Sequence, residues 1–146
     1  MRPSPGITYA IKALVDLALH QGSGPVTVGS MARRQGIPLR YLEQLLNRLR
    51  RRGIVAAERG PRGGYQLGVL PSKIPISAIF ECLESKALHP RRALSAPAGQ
   101  PDPTAPLWRQ LETAVQTTLK ATTLEDLVSQ ARQNARFLDH SYTFHI

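Results

Sequence analysis

The stretch ARRQGIPLRYLEQLLNRLRRRGIVAAERGPRGGYQLG, Ala32 to Gly68, decides how this chain is read. Its first part has the grammar of a helix-turn-helix. That motif needs a small residue where two helices cross, a turn residue tolerant of left-handed backbone, and apolar anchors on the second helix. Ala32 is the small residue, Gly36 the turn residue, and Leu42 and Leu45 the anchors, with Met31 and Ile37 filling the other inward positions. Leu39 to Arg52 predicts a second helix that ends at Gly53, with Leu42, Leu45, Leu46 and Leu49 on one face. Arg40, Glu43, Gln44, Asn47, Arg48 and Arg51 occupy the remainder. An ordinary helical hairpin with a solvated charged face would show the same pattern.

The residues that follow narrow the choice. IVAAER and GYQLG read as two short strands joined by a Gly-rich tip. A glycine-rich loop with a cation also raises the question of a nucleotide phosphate. RGPRGGYQ lacks the Gly-Lys-Ser/Thr ending of a P-loop and runs into a strand-like alternation where a helix would have to begin. No Ser/His/Asp or paired-carboxylate grouping stands out, so the reading is of a protein that is not an enzyme. A helix-turn-helix trailed by a hairpin with a basic tip is the winged variety.

Charge placement points the same way. The chain of 146 residues carries a formal net charge of +9. From Met1 to Pro71 there are 11 Lys+Arg against 3 Asp+Glu; from Ser72 onward the count is 8 against 7. An excess confined to one half is the footprint of a polyanion-binding surface. Arg40, Tyr41, Glu43 and Gln44 lie near the start of the second helix, where side chains meet base edges. Asn47 lies one turn further along; Arg48, Arg51 and Arg52 are placed for phosphates, and Arg59 or Arg62 for a narrow minor groove.

The flanks complete the plan. Ile7 to His20 has Ile7, Ala10, Ile11, Leu14, Leu17 and Ala18 at helical spacing, and Lys12 and Asp16 interrupt its apolar run. It therefore reads as an amphipathic helix and not a signal peptide. No run approaches a membrane span, and a cytoplasmic location is expected. Thr27 to Gln35 and Ile76 to Leu83 predict further helices. Leu107 to Lys120 carries Leu107, Trp108, Leu111, Val115 and Leu119 on one face, a stripe that needs a partner surface, and a symmetric dimer supplies one. Thr122 to Asp126 holds a capping-box pattern that starts a last helix through Leu124, Leu127, Val128 and Ala131. The expected fold is mainly α with a small β-hairpin wing. A winged helix-turn-helix domain spans residues 1–84, a flexible Pro-rich loop 85–105, dimerisation helices 106–138 and a tail 139–146.

The quoted stretch resembles the winged helix-turn-helix of the Rrf-two family of bacterial regulators, IscR-, NsrR- and CymR-like. The resemblance extends upstream to YAIKALVDLALH and downstream through ISAIFECLES to PLWRQLETAVQTTLKATTLEDL. It implies a homodimeric transcription factor, a repressor by family habit, whose long helix at about 106–121 pairs across a two-fold axis. The recognition helices would enter major grooves of double-stranded DNA at a pseudo-palindromic operator, with the wings in flanking minor grooves. Two positions depart from the pattern. Arg62 replaces the middle glycine of the usual tip, and the loop before the long helix, LHPRRALSAPAGQPDPTAPLW, has none of the three cysteines of cluster-binding members. Thiolate is the ligand an iron–sulfur cluster depends on, so no cluster, metal or other cofactor is expected. His89 alone makes no site, and Cys82 is either a buried inert thiol or a redox-sensing one. A protein partner or small-molecule effector is the other way such a regulator could be controlled, and an architectural protein without sequence preference is a further alternative.

Overall fold

The computed structural model describes residues 3–84 and 99–143, with side chains through residue 135. The Pro-rich stretch at 85–98, which includes His89, and the last three residues lie outside the described residues. The element order is α1 (Pro5–Leu19), α2 (Val28–Gln35), α3 (Leu39–Arg51), β1 (Val55–Glu58), β2 (Gly64–Leu67), a 3-10 turn at Pro71–Lys73, α4 (Ile76–Leu83), α5 (Ala105–Ala121) and α6 (Leu124–Thr143). The chain is thus mainly α with one two-stranded hairpin, as the sequence predicts.

Helix α1 begins at Pro5, two residues earlier than the apolar spacing predicts. Proline is at home in a first helical turn, where its missing N–H has no partner to lose, and Ser4 caps the end by accepting from Ile7 N. Ile7, Ala10, Leu14, Leu17 and Ala18 are buried as expected, and Ile11 packs against the same core from its edge. All four leucines of the α3 stripe are buried, as are Met31, Ala32 and Ile37. Ile76, Ile79, Phe80 and Leu83 of α4 close the core from the other side, with Leu124 and Val128 of α6.

Asp16 is buried on α1, and this acid within an apolar stripe is held by three hydrogen bonds from two residues. Arg34 donates to it twice, from Nε at 3.0 Å and Nη2 at 2.8 Å, and Gln35 Nε2 donates at 3.1 Å. Burial alone would raise the carboxyl pKa; the hydrogen bonds from Arg34 and Gln35 and the nearby positive charge outweigh it, so the pKa falls below the usual value. The pair ties α1 to the end of α2.

The two C-terminal helices are stitched to the first domain by backbone. Ile76 N donates to Thr122 O at 2.9 Å and Leu124 N to Ile74 O at 2.8 Å, around an antiparallel bridge between Pro75 and Thr123. The capping box predicted at this corner is present and reciprocal: Thr123 N donates to Asp126 Oδ2 at 2.8 Å, and Asp126 N to Thr123 Oγ1 at 3.3 Å. Helix α6 runs to Thr143, into residues that the sequence assigns to a tail; neither proline nor glycine interrupts it after Leu124.

Candidate nucleic-acid interface

The turn between α2 and α3 is set by Gly36, which caps α2 with φ 64° and ψ 39°, the left-handed region where a side chain is strained. Its backbone lets Ile37 N donate to Ala32 O at 3.0 Å, and Thr27 caps the other end of α2 through Ser30 N at 3.3 Å. These contacts aim α3. Its buried leucine face turns the opposite face outward, and there the polar residues stand.

Arg40, Glu43 and Gln44 are exposed on the first turns of α3 and make no side-chain hydrogen bond or ion pair with other described residues. Leu39 joins them, 46% exposed at the first helical position, an apolar group among polar ones. It did not stand out in the sequence, because a leucine beside a leucine stripe reads as core. Tyr41 leans back on α1: its ring meets Tyr9 edge to face at 5.8 Å between centroids. A methyl group at Gly6 would come within 2.7 Å of the Tyr41 hydroxyl oxygen, so the glycine makes room for it. Asn47 is half-buried and accepts from Arg50 Nη2 at 2.8 Å, whereas Arg51 is exposed without such a partner among the described residues. Arg48 turns toward α4, where Nη2 donates to Cys82 O at 3.2 Å and Leu83 O at 3.1 Å.

The wing pairs Val55 with Leu67, Ala56 with Gln66, Ala57 with Tyr65 and Glu58 with Gly64. Val26 extends it on the far side of β2: Val26 N donates to Tyr65 O at 2.8 Å and Tyr65 N to Val26 O at 2.7 Å. This third segment accounts for Gly64. A Cβ at Gly64 would fall 2.5 Å from Val26 O, so backbone stands where a side chain would go. Arg59 and Arg62 sit at the tip, exposed, flanking Pro61. The hairpin therefore presents two guanidinium groups on a framework anchored to the α1–α2 connection.

Cys82 is buried. Its thiol donates to Arg48 O at 3.5 Å, and burial pushes its pKa up against the weaker pull of Arg52 and Arg48. A raised pKa and burial both lower the reactivity of a thiol. Among the described residues no three His, Cys, Asp or Glu side chains group as metal ligands, and no helix is long and apolar enough to cross a membrane.

The predicted stripe on α5 is only partly covered: Leu119 packs against the core, and the start of the stripe faces outward. No residue of this 17-residue helix is buried. Leu107 is 51% exposed and Leu111 40% exposed; Trp108, Val115 and Leu119 are half-buried. Trp108 is steadied at the start of the helix, where its Nε1 donates to Thr104 Oγ1 at 2.9 Å and that hydroxyl donates to Asp102 Oδ1.

Comparison with known proteins identifies the family. Residues 4–130 match the Rrf2 family, described as iron-dependent transcriptional regulators. The chain is 42% identical over 125 residues to the HTH-type transcriptional regulator IscR of Pectobacterium atrosepticum, covering 83% of this chain and 75% of the relative. It is 40% identical over 124 residues to IscR of Aliivibrio salmonicida, covering 82% and 73%. Among solved structures, it is similar to CymR, the global cysteine regulator of B. subtilis, with a TM-score of 0.78 and 33% identity over 89% of this chain and 98% of that one. T. potens IscR gives a TM-score of 0.75 and 34% identity over 90% and 88%. The chain belongs to the Rrf2 (Rrf-two) family of winged helix-turn-helix transcriptional regulators, which are not enzymes.

Proposed function

We propose that the protein is a homodimeric, site-specific DNA-binding repressor that acts in the cytoplasm without an iron–sulfur cluster. The observation that carries the DNA reading is the shared exposure of Arg40, Glu43 and Gln44 on α3 and of Arg59 and Arg62 on the wing. Arginine suits the paired acceptors of guanine, glutamine suits adenine, and glutamate accepts from the cytosine amino group. Leu39 adds an apolar surface suited to a thymine methyl group. The wing cations suit a narrow minor groove, where negative potential is concentrated.

Two further arguments support the finer points. An amphipathic helix with two exposed leucines and no buried residue needs a second surface, and a copy of itself across a two-fold axis supplies one. The family description implies iron, yet the whole chain has a single cysteine, and its thiol is buried and bonded to Arg48 O. That donor set does not fit a cluster, which takes several thiolates.

The test is a binding selection from genomic DNA with anaerobically purified protein, alongside iron analysis and light scattering. A dimer that enriches a pseudo-palindromic site and carries no stoichiometric iron is expected. A monomer, or enrichment no better than random DNA at fixed salt, overturns the reading.

A further inference from the structure

We propose that Arg48 is a positioning residue that sets the angle of the recognition helix, rather than a phosphate contact; this rests on the DNA-binding reading above. Its place on the polar side of α3, in a run of arginines, is what a backbone contact looks like in sequence. The geometry assigns it otherwise. One nitrogen, Nη2, donates to two consecutive carbonyls at the end of α4, Cys82 O at 3.2 Å and Leu83 O at 3.1 Å. The last carbonyls of a helix have no partner within it, and they lie at the negative end of its dipole, so a guanidinium there is doubly favoured.

The contact is also returned. Cys82 Sγ donates to the backbone oxygen of Arg48 at 3.5 Å, so the two residues are bonded in both directions. Neighbouring arginines do not share this arrangement: Arg50 bonds within its own helix to Asn47, and Arg51 has no side-chain partner among the described residues. The other end of α3 is held separately, by Tyr41 against Tyr9 and Gly6 on α1. The recognition helix is therefore fixed near its start by α1 and along its later turns by α4. Releasing the second hold leaves the helix folded on its leucine face while its tilt relaxes. Base contacts, which depend on angle and distance, lose more from that relaxation than phosphate contacts, which depend mainly on charge.

The test compares the wild type with Arg48→Met, which keeps an unbranched stem like that of arginine and removes donors and charge. Affinities are measured for a selected operator and for random DNA over a series of salt concentrations. The expected result is a loss on the order of tenfold on the operator, the size of about one charge-assisted hydrogen bond at the low end of its range. Binding to random DNA is expected to stay nearly unchanged, and so is the salt dependence. An equal loss on both DNAs, with a log–log salt slope smaller by about 0.9 for each phosphate contact removed, makes Arg48 a phosphate contact and overturns the proposal. A lower melting temperature with the operator preference intact reduces it to a structural contact and overturns it as well. Should Arg48→Met fail to fold, the guanidinium NMR signals of Arg48 in the wild type decide. Rotation restricted in the free protein and unmoved by DNA supports the proposal; restriction acquired only with DNA overturns it. A wild type without operator preference is a different result, because it overturns the regulator reading itself.

Discussion

Arg34 grips the buried carboxylate of Asp16 with two nitrogens, at 2.8 and 3.0 Å, across the junction of α1 and α2. The ion pair joins α1 to the end of α2, the helix that precedes α3. Because the folded pKa of Asp16 is lowered, its contribution to stability is fully present above the ordinary carboxylate pKa of about 4 and is lost as pH falls through the folded value. Urea denaturation at pH 7 and at pH 3 should therefore show a steeper acid loss for the wild type than for Asp16→Asn. At pH 7, Arg34→Ala should cost about 2 kcal/mol, less than the 3–5 kcal/mol of a wholly buried pair because the guanidinium is partly solvated. Equal acid limbs for both proteins would rule out Asp16 as the titrating group.

The wing gives a prediction with a salt signature. Arg59→Ala with Arg62→Ala should leave the hairpin folded, since Gly64 and the Val26 pairing, not the arginines, hold its shape. Operator affinity should fall on the order of tenfold, and the salt slope should shrink by about 0.9 for each phosphate neutralised by the lost cations. Fluorescence anisotropy over a salt titration measures both. Unchanged affinity at physiological salt would show that the tip stays clear of DNA.

For the exposed face of α5, Leu107→Glu with Leu111→Glu should yield a monomer with a melting temperature close to that of the parent, because neither side chain contributes to the buried core. Two-site binding should disappear with the dimer. Sedimentation velocity checks the mass and a mobility-shift assay checks the DNA. A doubly substituted chain that remains dimeric would place the interface elsewhere.

Leu39 can be tested without changing the fold. Replacing thymines of the selected operator one at a time by deoxyuridine removes only the 5-methyl group. At one position the wild type should lose several-fold in affinity, of the order of the 1 kcal/mol lower bound for a base contact, and Leu39→Ala should be insensitive to that same change. If the variant responds to every position as the wild type does, Leu39 does not touch a thymine methyl.

Much of this architecture was legible because it is written in local patterns. The leucine stripe of α3, the left-handed glycine after α2 and the reciprocal Thr123–Asp126 cap each lie within a few residues, and each has one physical solution. What local patterns do not reveal links distant positions. Val26 pairs with Tyr65 across the α2–α3 unit, Arg34 reaches back to Asp16, and Arg48 reaches forward to the end of α4. Arg48 and Arg51 are the same residue type three positions apart, and only the packing of α4 separates their surroundings. Asp16 did carry a signal, a lone acid on an apolar helix, but that signal names no partner.

The short backbone ladder around Pro75 and Thr123 divides the labour within the chain. It splices the α5–α6 corner onto the entrance of α4 and bypasses the segment between residues 84 and 99. In the proposed dimer, the distance between the two reading heads is therefore inherited from this splice. In that dimer, a change in the length of the intervening segment is expected to leave the spacing of the half-sites unchanged.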